Sequence, residues 1–269
     1  MKALLAIVLL SAGGLLAQPS VSAGGILNSA SYDTTMPVTP GSLVSIFGSG
    51  LAAGTAQADS IPLSTSLGNV GVTFNGISAP LNGVFHESSF DQINAQLPWN
   101  VPTGAVQVVV TNNGVPSAVQ TVQVGQFSPG IFTTNGAGTG QAVAVNYPDY
   151  SYAAPSGSIP GVAARPAVVA DPNGLIIYAT GLGPVTPVPA NGAAASANPV
   201  SYTNTVPVVM VGGVQAQVTF SGLVPGLVGV NQLNVVLAQG TPTGNQVPLQ
   251  IQIGGLTSTS KMTIAVASQ

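Results

Sequence analysis

Apolar side chains recur at every second position in short runs along most of the chain. Val106, Val108 and Val110 share one such phase, and Leu249-Gln-Ile-Gln-Ile253 and Met262-Thr-Ile-Ala-Val266 share it cleanly. Val70-Gly-Val-Thr-Phe74 and Val206-Pro-Val-Val-Met210 follow the same rule. A step of two sends these side chains to one face of a strand. Turn formers separate the runs: Asn75-Gly76, Asn112-Asn113-Gly114, Gly212-Gly213 and Gly254-Gly255. Such pairs tolerate the positive φ that two-residue hairpins require. Beyond an N-terminal apolar run there is no helical period. Short strands at about 8–12-residue spacing predict an all-β chain of sandwich type.

The pattern occurs twice. Phe47-Gly-Ser-Gly-Leu51 is echoed by Tyr178-Ala-Thr-Gly-Leu182, and the strand and turn at 70–76 by those at 206–213. Gln92-Ile-Asn94 recurs as Gln232-Leu-Asn234, and Pro102-Thr-Gly104 as Pro242-Thr-Gly244, both at an offset of 140 residues. After each Pro-Thr-Gly come a strand, a turn and a closing strand. Four landmarks in one order indicate duplication. The expected organisation is two tandem immunoglobulin-like β-sandwich domains, residues 24–127 and 128–269, after a signal peptide at residues 1–23. The division falls near Phe127-Ser-Pro-Gly-Ile-Phe132.

The signal peptide is read from Lys2, the apolar run at residues 3–16, and Val21-Ser22-Ala23 before a cleavage ahead of Gly24. Cleavage after Ala17 is the competing choice. The run is shorter than the roughly 20 residues of a membrane span, so the mature chain is expected to be exported without a transmembrane helix. Its place is then extracellular, on the cell surface or periplasmic.

Composition narrows the function. Only 3% of residues are charged, against roughly 25% in an ordinary domain. Lys2, Arg165 and Lys261 are the only basic residues besides His86, too few to neutralise the phosphates of a nucleic acid. There is no cysteine, which removes disulfides, thiolate metal sites and cysteine nucleophiles. A 45% hydrophobic content separates the chain from disordered proteins. With 5% aromatic residues and a single Trp, it lacks the girdles of an outer-membrane barrel.

Several longer motifs resemble one family. Pro40-Gly-Ser-Leu-Val-Ser-Ile-Phe-Gly-Ser-Gly-Leu51, Asp91-Gln-Ile-Asn-Ala-Gln-Leu-Pro-Trp99, Ser128-Pro-Gly-Ile-Phe132 and Ile177-Tyr-Ala-Thr-Gly-Leu-Gly-Pro-Val185 are similar to the Solibacter-type C-terminal domain of exported acidobacterial proteins. The resemblance covers roughly residues 24–267. It implies export and tandem sandwiches akin to IPT/TIG-type immunoglobulin-like domains, and it brings no catalytic residues. The tyrosine-bearing segment at 146–161 is longer than the resemblance implies.

His86, Glu87 and Asp91 form the one cluster of ionisable side chains. A metal needs three or four converging ligands, and repeat 2 has only Gly229-Val230-Asn231 at the corresponding place, so the cluster reads as a polar inter-strand loop. His86 is also the only base available to a Ser-His-Asp arrangement, and no Gly-x-Ser-x-Gly elbow accompanies it. The expectation is a non-enzymatic chain with no cofactor and no metal.

Tyr147, Asp149, Tyr150 and Tyr152 make the most unusual segment. Tyrosine offers an apolar face with a polar tip, so this loop is either a sugar- or protein-contacting patch or a cover over the domain junction. Trp99 is either a plug at the sandwich end or part of that ligand platform. Gln92, Asn94, Gln232 and Asn234 are either polar recognition strands or amides that satisfy neighbouring backbone. Low charge leaves strand edges without their usual lysine guards. Pro116, Pro207 and Pro248 point to protected edges, while residues 24–39 look free to add to a neighbour's sheet. The expected role is an exported structural or adhesive module that binds a protein partner or itself through strand edges; the alternative is a polysaccharide-binding module using residues 147–152.

Overall fold

A computed structural model describes residues 18–259 and 261–268. The expected signal-peptide core, residues 1–17, lies outside the described residues. Among the described residues the regular structure is all strand, and it forms two β-sandwich units in tandem.

In repeat 1 the strands are β1 (Ser20–Asn28), β2 (Leu43–Ser49), β3 (Val70–Phe74), β4 (Leu81–His86), β5 (Asp91–Gln96), β6 (Gly104–Asn112) and β7 (Gln120–Val124). One sheet runs β1-β2-β5-β4, with the short strand Ala56–Gln57 beyond β4; the other has β6 between β3 and β7. The alternating residues meet between them: Ile46, Val84 and Ile93 from the first sheet face Val72, Phe74 and Val108 from the second, all buried in one core. At Asn75-Gly76 both residues have positive φ, 47° and 78°, the conformation that lets a two-residue turn follow the strand twist.

Repeat 2 contains β8 (Ala144–Asn146), β9 (Leu175–Thr180), β10 (Val208–Val211), β11 (Val214–Leu223), β12 (Asn231–Val236), β13 (Gly244–Ile253) and β14 (Met262–Ala267). Here β11 pairs first with β10 through residues 214–216 and then with β12 through residues 217–223, so one strand links both layers. A second core, from Ile131 to Val266, fills the space between them. Both repeats carry a bulge at the same place. The register jumps from Leu81↔Ala95 to Gly83↔Asn94 in repeat 1, and from Val218↔Val235 to Phe220↔Asn234 in repeat 2. A bulge bends a strand and is a specific feature of a fold, so its recurrence is the structural counterpart of the repeated sequence.

Two expectations about edges need correction. Residues 24–39 are not a free arm. Residues up to Asn28 belong to β1, paired with β2, and Val38 bridges to Val124. The buried Asn28 accepts hydrogen bonds from the backbone N–H groups of Ala30 and Ser31 and donates to the Ser128 carbonyl at 2.8 Å. Pro248 lies in β13, an interior strand between β14 and β10. It is tolerated because pairing changes sides there: Pro248 is the last residue matched with β14, and matching with β10 starts at Leu249.

The β1 strand also bears on the signal boundary. Ser20 and Val21 pair with Ser49 and Gly48, and Val21 is buried. A cut after Ala23 removes these pairs, whereas a cut after Ala17 keeps them. No helix among the described residues is long and apolar enough to cross a membrane.

Candidate binding surface

The segment after β8 turns outward and returns as a two-residue strand, Tyr152–Ala153, which pairs in parallel with Ala164–Arg165. The sheet of repeat 2 is thereby extended past β8. Buried Asn146 holds the turn from inside, donating to the carbonyls of Ser151 and Arg165 at 3.2 and 3.0 Å. Asp149 holds it from outside. Its Oδ1 accepts from the backbone and hydroxyl of Ser151, and its Oδ2 accepts from Arg165 Nε at 2.8 Å. The Arg165 hydrogen bond, aided by those from Ser151, lowers the Asp149 carboxyl to about 2 against a smaller opposing effect of burial.

With the backbone so fixed, Tyr147 and Tyr150 meet edge to face at 5.8 Å and remain exposed. Edge-to-face is a favoured arrangement of aromatic quadrupoles. Tyr178 on β9 lies beside this loop: burial first, then the neighbouring Tyr150 and Tyr152, push its phenol above the usual range. Register sets Tyr152 beside Val145 and Val145 beside Ile176 of β9, so the loop extends from the edge of the repeat 2 sheet.

Trp99 is placed elsewhere. Its indole lies over Gly41, where a Cβ would run into the ring, and it packs against Val185, Ala195 and Leu223 of repeat 2. Its backbone N–H donates to Asn191 Oδ1 at 2.8 Å. It thus sits where the repeats join and is not brought to the tyrosines. The same junction is held by Thr180 Oγ1, which accepts from Leu43 N and donates to the Gly229 carbonyl.

The ionisable cluster resolves into a cross-strand pair. His86 Nδ1 lies 2.7 Å from Asp91 Oδ1, and Asp91, only 3% exposed, accepts the Leu51 N–H at 2.7 Å through Oδ2. In repeat 2 Asn231 stands at the equivalent place and its Oδ1 accepts the Leu182 N–H. In repeat 2 an amide oxygen does at 3.4 Å what the carboxylate does at 2.7 Å in repeat 1, so both places supply a buried acceptor. Among the described residues no group of three or more metal-ligating side chains gathers.

The repeated amides bond to each other. Gln92 Nε2 donates to Asn94 Oδ1 at 2.7 Å, and Gln232 Nε2 to Asn234 Oδ1 at 2.8 Å. Neither expected reading named this. Two residues apart on one strand, the two side chains share a face and lie opposite the one bearing Ile93 or Leu233, which are fully buried. Aromatic residues beside these ladders were also missed. Phe47 is the cross-strand partner of Gln92, and Tyr178 of Gln232; the echo of Phe47-Gly-Ser-Gly-Leu51 in Tyr178-Ala-Thr-Gly-Leu182 was the available signal.

No family model matches the sequence, and no curated protein matches it. Among solved structures, the chain is similar to SGBP-B of a Bacteroides ovatus mixed-linkage glucan utilization locus, in complex with a mixed-linkage heptasaccharide, at TM-score 0.31 and 12% identity over 86% of this chain. It is similar to domains 5-6 of the S-layer protein SbsC, at TM-score 0.27 and 11% identity over 93% of this chain and 99% of the other. The tandem Ig repeats of Dlar give TM-score 0.21 and 11% identity over 94% and 99%. This chain spans 43% of the SGBP-B chain and 32% of a longer SbsC segment, domains 4-9. At such scores and identities these likenesses carry no functional weight.

Proposed function

We propose that the protein is an exported, non-enzymatic module that acts by surface contact in the cell envelope or outside the cell, with the loop at 147–152 as a contact for polysaccharide. The observation that carries this reading is the loop itself: Asn146 and Asp149 fix its backbone while Tyr147 and Tyr150 stay exposed. Rigid tyrosines present apolar area at little entropic cost on binding, and the pyranose faces of sugars match them. Among the described residues no Ser or Thr hydroxyl is hydrogen-bonded to the His86 ring, so the His86–Asp91 pair lacks the nucleophile that a Ser-His-Asp arrangement needs. Export with a mature start at Gln18 preserves β1, which makes the cut after Ala17 the preferred boundary. The resemblance to the Solibacter-type family supports the same location.

Self-association by donation of residues 24–39 loses ground, since those residues already pair within their own sheet. The test is retention of residues 18–269 on insoluble polysaccharides, compared with the double variant Tyr147→Ala/Tyr150→Ala. Loss of retention in the variant supports the loop as the contact. Unchanged retention removes the loop from the reading.

A further inference from the structure

Repeat 1 presents a second aromatic–amide face, far along the chain from the tyrosine loop. Register places Phe47, Gln92 and Phe85 in one row across β2, β5 and β4, and Ser45, Asn94 and Gly83 in the next. Gly83 has no side chain, and the Phe85 ring lies over it; a Cβ there would stand 2.8 Å from the ring. The ring is thus laid along the sheet beside the amides. Phe90, 42% exposed, is 6.0 Å from Phe47, and Phe47 is 6.0 Å from Tyr32. Between the rings is a depression of about 300 Å³ lined by Phe85, Phe90, Gln92, Asn94 and Ser88, with Glu87 as its one charged side chain.

The amide ladder leaves two polar groups to a ligand. Asn94 Oδ1 receives Gln92 Nε2 and the Ser45 hydroxyl, at 2.7 and 2.9 Å. Gln92 Oε1 and Asn94 Nδ2 have no partner among the described residues. One acceptor and one donor therefore sit between apolar ring faces. Few oriented polar groups in an aromatic lining are the marks of a small-ligand site, and hydroxyl groups on an apolar ring skeleton complement them. No cation lines the depression, so an anionic polymer finds no counter-charge.

Repeat 2 repeats the arrangement with the Phe and Gly positions exchanged, Ile176 in place of Ser45 and Tyr178 in place of Phe47. Gln232 lies between Tyr178 and Gly222, and Asn234 between Ile176 and Phe220. The Phe85-over-Gly83 pair has become Phe220 over Gly222, where a Cβ would stand 2.8 Å from the Phe220 ring. A ring beside a Gln–Asn ladder is kept although the residue that supplies it differs. From this we infer that the outer face of repeat 1 is a binding site for an uncharged polysaccharide, centred on Gln92 and Asn94 with Phe85 and Phe90 as stacking faces. The inference shares its ligand class with the reading of the tyrosine loop and rests on that reading, but it uses different residues. Two platforms on one chain suit a ligand that itself repeats, because a second contact made on the same polymer is intramolecular.

The experiment is affinity electrophoresis of residues 18–269 through gels containing hydroxyethyl cellulose, galactomannan, starch or, as an anionic comparison, alginate. Phe90→Ala removes an exposed ring. Asn94→Asp keeps the acceptor used by Gln92 and Ser45 while replacing the free donor. The wild type is expected to be retarded by at least one neutral polymer, with retardation weakened roughly 2- to 10-fold by Phe90→Ala and about 10-fold by Asn94→Asp. If both variants are retarded like the wild type while Tyr147→Ala/Tyr150→Ala is not, the site on repeat 1 is overturned and the loop reading stands. A wild type retarded by no neutral polymer overturns both. Retardation by alginate alone overturns the uncharged chemistry.

Discussion

The two repeats follow one path and diverge at two places. Residues 77–86 and β11 occupy equivalent positions, yet repeat 1 reads as two strands and repeat 2 as one. Pro80 stands where repeat 2 has Gln217, and proline has no N–H for the ladder. Its carbonyl still accepts from Gln96 N at 2.9 Å, while Gln217 pairs with Val236. The missing proline donor, together with the Leu81 N–H that turns to the Ser64 carbonyl, accompanies the break in repeat 1 where the strand of repeat 2 runs on. The second divergence is at the open side of β2 and β9. In repeat 1 the nine-residue β1 covers it; in repeat 2 Gly130–Ile131 and β8 cover it in pieces, and the tyrosine loop extends outward from there. An edge accepts an insertion without disturbing the core, which is why a distinctive surface appears there.

Asp91 and Asn231 offer the sharpest way to break the equivalence. Asp91→Ala leaves the Leu51 N–H without its acceptor in a buried place and is expected to cost about 1–3 kcal/mol in denaturant unfolding. Asp91→Asn, which copies repeat 2, is expected to cost less than about 1 kcal/mol, since the lost pairing with exposed His86 is weak. Equal losses would show that the charge, not the acceptor, is what repeat 1 uses.

The glycines under the exchanged rings come next. At Gly222 a Cβ would also collide with the Ser201 backbone carbonyl, whereas at Gly83 its close neighbour is the movable Phe85 ring. Gly222→Ala is therefore expected to lose about 1–3 kcal/mol by overpacking and Gly83→Ala clearly less, as thermal unfolding would read. A reversed order would contradict the placement of the rings.

The smallest effect belongs to repeat 2 alone. Asp149 has its folded value lowered from 3.8 to about 2, so its stabilisation is complete above the higher value and is lost as pH falls through the lower. Carboxyl titration followed by NMR should give a midpoint near 2 that rises toward 3.8 in Arg165→Gln. An unmoved midpoint would mean that Arg165 does not hold the loop.

Much of this was legible beforehand because it is local. Alternation at Val106, Val108 and Val110 defines a buried face whatever lies opposite, and Asn75-Gly76 or Gly254-Gly255 reverse the chain by their own φ preferences. The duplication was legible too, since each copy must rebuild the same core. Less legible was the candidate site. The tyrosines stood out by density, but nothing in their spacing said that Asn146 and Arg165 would steady them, or that Trp99 would be drawn to Gly41 instead.

The sequence by itself determined the all-β class, the strand phases, the hairpin turns and the two-fold repetition, for these follow from short-range alternation and backbone preference. Tertiary structure decided which faces are covered, that residues 24–39 are bound to their own sheet, and that the Gln–Asn pairs lie between aromatic rings. Those outcomes depend on partners distant in the chain, such as Phe47 beside Gln92 and Leu43 beside Thr180. Only the closing of the sheets and the docking of the repeats bring such partners together.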